Sequence, residues 1–452
     1  MKCLKGILLA CLFLCSTSHG VEKLIAENPL IIVKIKSFND LKRLVPEFAQ
    51  QQVMMAEMQA PYLDKTKEAV VVLTSIMPPV AYAAVPVSEG TQLDAITPAL
   101  PPNLQATAQL RDGYVYLPFT GMLPQTVGKG KFEKLNDSAV QICFDIDRIN
   151  TTSGPMIAMM LQQDFSAMLP PSDENTDKLM KASIELYKAY VTDLLTATNS
   201  VDIDLNKKSN FVIDVAGEFK EGSAWAGICE KHSKMKIPEC ESLDAAPIVF
   251  AGEIDYSSME PFMGPMTKYM AALGDAAEGK DLDKMMKSFI EMGRLKMVGN
   301  MVMDPEKFDI NYLFEAKEGF DMNKSLSDWA GFFPKGDGLG MYFEKTGDKI
   351  FGEEIYKSEM GEAYKQPGMP EMTTLFYAKK NKMYYASSKE GLEKLSDSKI
   401  SSGTSKGFFF MQMDMGKMGS ATGGTPMPFE LPLVEILSKS SKNKIFKKII
   451  IR

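Results

Sequence analysis

Phe211-Val-Ile-Asp-Val-Ala-Gly-Glu-Phe-Lys-Glu-Gly222 returns in altered form as Phe308-Asp-Ile-Asn-Tyr-Leu-Phe-Glu-Ala-Lys-Glu-Gly319. Each phrase closes a β meander on Lys-Glu-Gly and runs on to a Trp-Ala-Gly, at Trp225 and at Trp329, the only two tryptophans in the chain. Self-similarity at this scale decides how the rest of the chain is divided. The spacings drift by about ten residues between the two copies, as variable loops allow.

Working outward, four segments share a plan of β run, polar or acidic stop, and helical stretch. They are Pro29 to Ser37, Val140 to Asp147, Pro247 to Asp255 and Gly407 to Asp414. In the second, Val140, Ile142, Phe144 and Ile146 share one face, and Gln141, Asp145 and Asp147 the other, the alternation of a sheet with one buried side. Gly154-Pro155-Met156 and Gly264-Pro265-Met266 each open a helical stretch with proline near its first turn. Helices are predicted around 178–197 and 281–297. A further echo links Tyr114-Val-Tyr116, then Lys134 to Ser138, with Tyr384-Tyr385, then Lys394 to Ser398. Runs of strands separated by runs of helices predict an α+β fold, with largely antiparallel sheets and helices on one face. The chain then reads as two similar halves, 21–245 and 246–452.

The first twenty residues read as an export signal. Lys2 and Lys5 precede an uncharged run from Ile7 to Leu14, and Ser16-Thr17-Ser18-His19-Gly20 forms a small-residue cleavage site. The predicted cut leaves Val21 as the mature N-terminus. Leu8-Leu9-Ala10-Cys11 resembles a lipid-attachment box but lies too close to the start to leave a usable signal. The mature chain carries 49 basic against 58 acidic residues, net −9, a poor balance for nucleic-acid binding. It contains no run of 18 apolar residues that would cross a membrane as a helix. Ala69 to Val87, the nearest, is cut by Pro78-Pro79 and reads as two strands around a turn. Cys143, Cys229 and Cys240 remain after cleavage, and in an oxidising compartment Cys229 and Cys240 are predicted to close a small disulfide loop.

Ala84-Val-Pro-Val-Ser-Glu-Gly-Thr-Gln-Leu-Asp-Ala-Ile96 followed by Asp112-Gly-Tyr-Val-Tyr-Leu117 resembles a phrase of uncharacterised exported proteins from planctomycete-like and verrucomicrobium-like bacteria. That resemblance implies an envelope or secreted protein and carries no catalytic residue across.

Several motifs look like chemistry. Gly403-Thr-Ser-Lys-Gly407 fits a G-x-S-x-G elbow by letter, but a polar loop precedes it and a strand follows. The sole mature histidine, His232, also lies on the wrong side of the serine. Gly336-Asp-Gly-Leu-Gly340 runs into a strand and lacks a helix N-terminus to meet a phosphate. Asp145 with Asp147, and Asp202 with Asp204, set two carboxylates on one strand face. Such pairs serve carboxylate hydrolysis or Ca²⁺ binding, and equally mark the solvated side of a sheet. One histidine leaves little room for zinc centres or histidine triads.

Methionine is the compositional anomaly, at 33 residues. Met411, Met413, Met415 and Met418 have the alternate spacing by which thioethers hold Cu(I). The same residues, continuing the face of Phe409, also make an adaptable apolar surface or an ordinary core. Met259, Met263, Met266 and Met270 form a second stripe at helical spacing, which Pro261 and Pro265 interrupt. The basic C-terminus, from Lys439 to Arg452, reads as a lysine-guarded edge strand or as a contact for an anionic membrane. Taken together, the sequence predicts a non-enzymatic protein of the periplasm or cell exterior, free there or peripheral to the outer membrane. Its expected partner is a lipid, a peptide or an envelope protein, with no cofactor. A carboxylate hydrolase and a Cu(I) binder are the alternatives.

Overall fold

The computed structural model describes residues 21–45, 50–120, 122–128, 135–162, 174–207, 209–240, 243, 246–262, 264–267, 282–303, 308–332, 341–360, 373–417 and 432–452. The chain separates into two compact units, residues 1–161 with 198–218, and residues 162–197 with 219–452. Mixed helices and largely antiparallel strands make the fold α+β, as the sequence predicts.

In the first unit, β1 (Ile31–Ile35) leads through α1 (Phe38–Leu44) and α2 (Gln50–Gln59) to the hairpin β2 (Ala69–Ile76) and β3 (Pro79–Pro86). A second hairpin follows, β4 (Gln109–Arg111) with β5 (Tyr114–Pro118). Then come β6 (Val140–Asp145), α3 (Ile146–Gln162), β7 (Thr198–Lys207) and β8 (Phe211–Phe219). The strands pair in the order β4-β5-β3-β2-β1-β6-β7, antiparallel throughout.

This sheet is covered on both faces. Val71, Ala83, Val85, Val115 and Val140 pack under Phe38, Ile96, Leu100 and Leu104. On the other face, Ile32, Val70, Val72, Ala84, Tyr116 and Cys143 pack against Leu24, Ile25 and Ala26 of the N-terminal segment. Tyr82, fully buried, ties that segment down: its hydroxyl accepts from the Ala26 amide at 2.7 Å and donates to the Leu24 carbonyl at 2.8 Å. The simple alternation read in β6 therefore fails, since Gln141 and Cys143 are each only 1% exposed. Chain from a distant part of the sequence covers the face that periodicity assigned to solvent.

In the second unit, α4 (Glu174–Ala197) and α5 (Ala224–His232) precede β9 (Lys236–Glu239) and β10 (Ile248–Asp255). Next are α6 (Leu282–Met292), the hairpin β11 (Arg294–Met303) with β12 (Phe308–Glu315), and α7 (Met322–Phe332). The remaining elements are β13 (Met341–Ile350), β14 (Glu353–Met360), β15 (Thr374–Lys379), β16 (Lys382–Ala386), α8 (Lys389–Leu395), β17 (Ser401–Lys406), β18 (Phe409–Asp414), β19 (Leu433–Ser441) and β20 (Lys444–Ile451). Ten of these strands pair in the order β13-β14-β15-β16-β12-β11-β10-β18-β19-β20. A separate ladder joins β9 to β17.

The polar stop after each of the four β runs has a local cause, since it caps the helical turn that follows and so satisfies an amide the turn leaves open. Ser37 Oγ accepts from the Asp40 amide at 2.7 Å, and Asp145 Oδ1 from the Arg148 amide at 2.9 Å. Asp255 Oδ1 accepts from Ser257 at 3.0 Å, and Asp414 Oδ1 from Lys417 at 3.1 Å. The sequence reading ran β6 on to Asp147, whereas the chain turns helical at Ile146 and Pro155 lies inside α3, not at its start. The helix read over 281–297 likewise stops at Met292. Gly293, at φ 66°, breaks it, and Arg294 begins β11.

The disulfide expectation fails. Cys229 and Cys240 are not bonded to each other. Cys229, on α5, is buried with Phe219 and Ala226, whereas Cys240, just past β9, packs against the cluster around Leu313 and Tyr377. The two thiols serve different cores, and burial pushes the Cys229 thiol up to about 11.

Candidate functional site

The two faces of the second unit's sheet differ in chemistry. Residues directly opposite across a ladder share a face, so the registers define rows that cross the sheet. One row is Ile451, Val434, Met413, Ile248, Met301 and Ile310, and the next is Ile449, Ile436, Met411, Phe250, Gly299 and Tyr312. No charged or amide side chain interrupts either row. On the opposite face, the row lying between them is Ile450, Glu435, Gln412, Val249, Asn300 and Asn311. Asn311 donates to Asn300 there at 3.2 Å. A face made this uniformly apolar is built to be covered.

Apart from Ile310 and Gly299, which are buried, its members are nonetheless only half-buried: Ile451, Val434, Met413, Ile248, Met301, Ile449, Ile436, Met411 and Phe250 all keep partial exposure. The reverse face is sealed lower down, where Leu313, Tyr377 and Ala386 are fully buried beneath Leu392 of α8. Towards β12 and β16 the apolar face ends in an aromatic wall. Phe250 meets Tyr312 edge-on at 4.7 Å, and Tyr312 stacks on Tyr385 at 5.5 Å. Gly299 makes that contact possible, because a Cβ there would fall 2.3 Å from the Tyr312 ring and 2.7 Å from that of Phe250. Burial, with Tyr385 adding to it, pushes the Tyr312 phenol up to about 12. Beyond the wall the face is closed by α6 and α7, where Trp329 stacks on Phe289 at 5.1 Å.

Met411 and Met413 sit in the middle of this face, on β18. Met415 does not join them: the strand ends at Asp414, and residues 415–417 form a capped helical turn. Met418 lies outside the described residues. The three-sulfur row expected for Cu(I) is thus cut to two adjacent sites on the strand. Of the second stripe, Met259 lies on the 3₁₀ turn Tyr256–Phe262, Met266 lies in the helical turn 264–267, and Met263 and Met270 fall outside the described residues.

The carboxylates are dispersed in role. Asp145 caps α3 and pairs with Arg148 at 3.3 Å, while Asp147 lies in the first turn of that helix, so the two do not share a strand face. Asp202 and Asp204 do share one, opposite Cys143 and Gln141. Asn136 Nδ2 reaches both oxygens of Asp204 at 3.0 Å. No group of three or more His, Cys, Asp or Glu that could hold a metal is found among the described residues.

Ser405 lies within β17, paired to β9, so Gly403-Thr-Ser-Lys-Gly407 is strand and not elbow. Gly403 is there for backbone approach: a Cβ would stand 2.1 Å from the Ile237 carbonyl. The segment that reads as a loop in sequence is a strand whose partner lies about 160 residues earlier. Gly336 to Gly340 lie outside the described residues.

His232 is buried on α5, its ring stacked on Phe408 at 5.0 Å and its Nε2 accepting the Asp255 amide at 3.3 Å. Desolvation lowers its pKa below the usual 6.5, against the opposing pull of Asp255. The folded state therefore binds fewer protons than the unfolded one. The stability this imidazole contributes is present above about pH 6.5 and is lost as pH falls through the lowered value. Tryptophan-fluorescence denaturation curves, which report the second unit, are expected to weaken below about pH 6.5, and His232→Gln is expected to flatten that slope.

The sequence reading singled out Met411 and Met413 but missed Ile248, Phe250, Tyr312, Ile436 and Ile449 as their neighbours. The period-2 runs of β10, β19 and β20 carried that signal; the strand order that joins them did not show. No protein family model, no curated protein and no solved structure matches this chain. No helix among the described residues is long and apolar enough to cross a membrane.

Proposed function

We propose that this chain is an exported, non-enzymatic binding protein of the periplasm or cell exterior that holds an apolar ligand, a lipid or an apolar peptide segment, on the Met411–Phe250 face. One observation carries the reading: two apolar rows cross the sheet without a charged or amide side chain and, from β20 to β10, every member is left half-buried. Methionine suits such a surface because its unbranched, polarisable side chain adapts to ligands of varied shape. The Phe250–Tyr312–Tyr385 wall would fix one end of the occupant. Export rests on the signal-like first twenty residues, and the burial of Leu24, Ile25 and Ala26 fits a mature chain that starts at Val21.

The two-halves reading belongs here too. The strand order β5-β3-β2-β1-β6-β7 in one unit parallels β16-β12-β11-β10-β18-β19 in the other, and each of the four β runs ends in a cap; in that order β12 answers to β3 and not to β8, so the Phe211–Gly222 and Phe308–Gly319 phrases fall on non-equivalent strands. We read 21–245 and 246–452 as copies of one plan, in line with the resemblance to exported proteins noted from sequence.

Native mass spectrometry of the protein purified from its own host tests the function. A bound lipid or peptide mass, released by organic extraction, is the expected result. A mass shift of copper alone would favour the ion reading. An apo mass, together with failure to take up a solvatochromic apolar dye, would overturn the proposal.

A further inference from the structure

The hairpin formed by β19 and β20 carries Lys439, Lys442, Lys444, Lys447, Lys448 and Arg452 against a single acid, Glu435, in a chain whose net charge is −7. Glu435 pairs with Arg452 at 2.7 Å, away from the turn. The basic charge is thus concentrated towards the hairpin's tip. Among these lysines stands Phe446, 39% exposed. Lys439 lies directly opposite it, and Lys444 and Lys448 flank it two residues away on the same face. On the opposite side, the Met411 face, the hairpin is fixed, because Ile445 packs against Phe219 and Trp225. An aromatic ring is therefore presented to water on a rigid support, opposite Lys439 and near Lys442 of the turn.

Lysines that only guard a sheet edge would need that edge to be open, whereas Asn443 beside the turn accepts from the Phe219 amide at 2.8 Å and donates its Nδ2 to the Phe219 carbonyl at 2.6 Å. Edge guarding also does not account for an exposed phenylalanine in their midst, nor for Lys442 at φ 49° in the turn, a backbone region that favours glycine or asparagine. The same end of the sheet presents a second exposed aromatic, there among mixed charges that include Asp348, Glu353 and Glu354. The registers bring the turns at Phe351-Gly352 and Lys380-Asn381 to the end where Lys442 lies. Phe351 is 59% exposed at φ 49°, with Lys379 Nζ 5.6 Å above its ring, and Lys380 has φ 58°.

We propose that this end of the second unit docks on an anionic phospholipid surface, with Phe446 entering the headgroup region and Lys439 and Lys442 meeting lipid phosphates. Charge complementarity selects the occupant, since lysines near a negative leaflet gain attraction that a neutral surface does not provide. Aromatic rings settle at the boundary between headgroups and acyl chains.

Flotation of the intact protein with vesicles decides the matter. Binding is expected to vesicles of phosphatidylglycerol with phosphatidylcholine and not to phosphatidylcholine alone, and to weaken with added salt. Each lysine neutralised, Lys439→Gln or Lys442→Gln, is expected to lower the partition coefficient about fivefold, and the pair about 25-fold. Phe446→Ser is expected to weaken binding without changing its salt dependence. Unchanged tryptophan-fluorescence melts would show that the variants fold. Equal flotation with neutral vesicles, undiminished binding by the double lysine variant, or a preference for soluble polyphosphate over vesicles would each overturn the proposal.

Discussion

Glu68→Ala is expected to destabilise the first unit by about 3–5 kcal/mol, the usual cost of leaving a buried charge without its counter-ion. Lys34 Nζ lies 3.1 Å from Glu68 Oε1, with the two side chains 6% and 8% exposed. The ammonium also donates to the Asn136 carbonyl, and the Asn136 amide donates in turn to Gln141 Oε1 at 2.9 Å. With the carboxylate gone, the lysine keeps one carbonyl partner at a position only 5% exposed. Tyr114 provides a second readout. Its phenol is pushed up to about 12 by burial first and by Glu68 next, so the variant should lower that value. Replacing both partners by apolar residues, Lys34→Met with Glu68→Leu, is expected to recover most of the loss, since an apolar pair of similar volume does without the desolvation penalty. Hydrogen exchange at the amides of β1 and β2 is the measurement to use, because both tryptophans lie in the second unit and the chain is not a single two-state domain. Exchange unchanged in Glu68→Ala would mean that water already reaches Lys34.

The same pair marks where the sequence was legible and where it was not. The four β runs and their polar stops were visible, because alternation and capping are set by residues within a few positions of one another. That Ser37, Asp145, Asp255 and Asp414 are caps explains why an acid or serine closes each run, and it removes the appearance of a carboxylate pair at Asp145 and Asp147. Lys34 and Gln141, by contrast, read as the solvated side of a half-buried strand. Lys34 finds Glu68 and, 102 residues away, the carbonyl of Asn136, whose amide also meets Gln141, partners that no local period encodes. The ladder between β9 and β17 escaped notice for a similar reason. Its strands, Lys-Ile-Pro-Glu and Ser-Ser-Gly-Thr-Ser-Lys, have a composition that favours turns, and only tertiary pairing makes them strands. The Met411–Phe250 face falls between these cases. Each strand's apolar alternation could be read locally, but the placing of β18 between β10 and β19 could not.

That intermediate status makes the contrast between Leu313→Ala and Met411→Ala the sharper test of what the second unit's sheet is for. Leu313 is fully buried on the reverse face, among Val298, Tyr377, Tyr384 and Leu392. Truncating it removes apolar contact and leaves a cavity in a region with little freedom to collapse, at a cost of about 2–5 kcal/mol. Met411 lies at the centre of the opposite face and is only half-buried. A fully buried methionine is worth roughly 1.5–3 kcal/mol, so truncation there should cost about 1 kcal/mol of stability. If the face exists to be covered by a ligand, the order reverses in a binding assay. Met411→Ala, flanked by Phe250 and Ile436, should weaken uptake of an apolar dye or fatty acid by more than about fivefold, as loss of a central interface anchor does. Leu313→Ala, assayed well below its lowered melting temperature, should bind as the parent does. Should Met411→Ala instead lose several kcal/mol of stability and leave dye uptake unchanged, the methionines would be ordinary core and the binding face would have to lie elsewhere. The two variants separate these cases because they lie on opposite faces of one sheet, so a general softening of the sheet would move both measurements together.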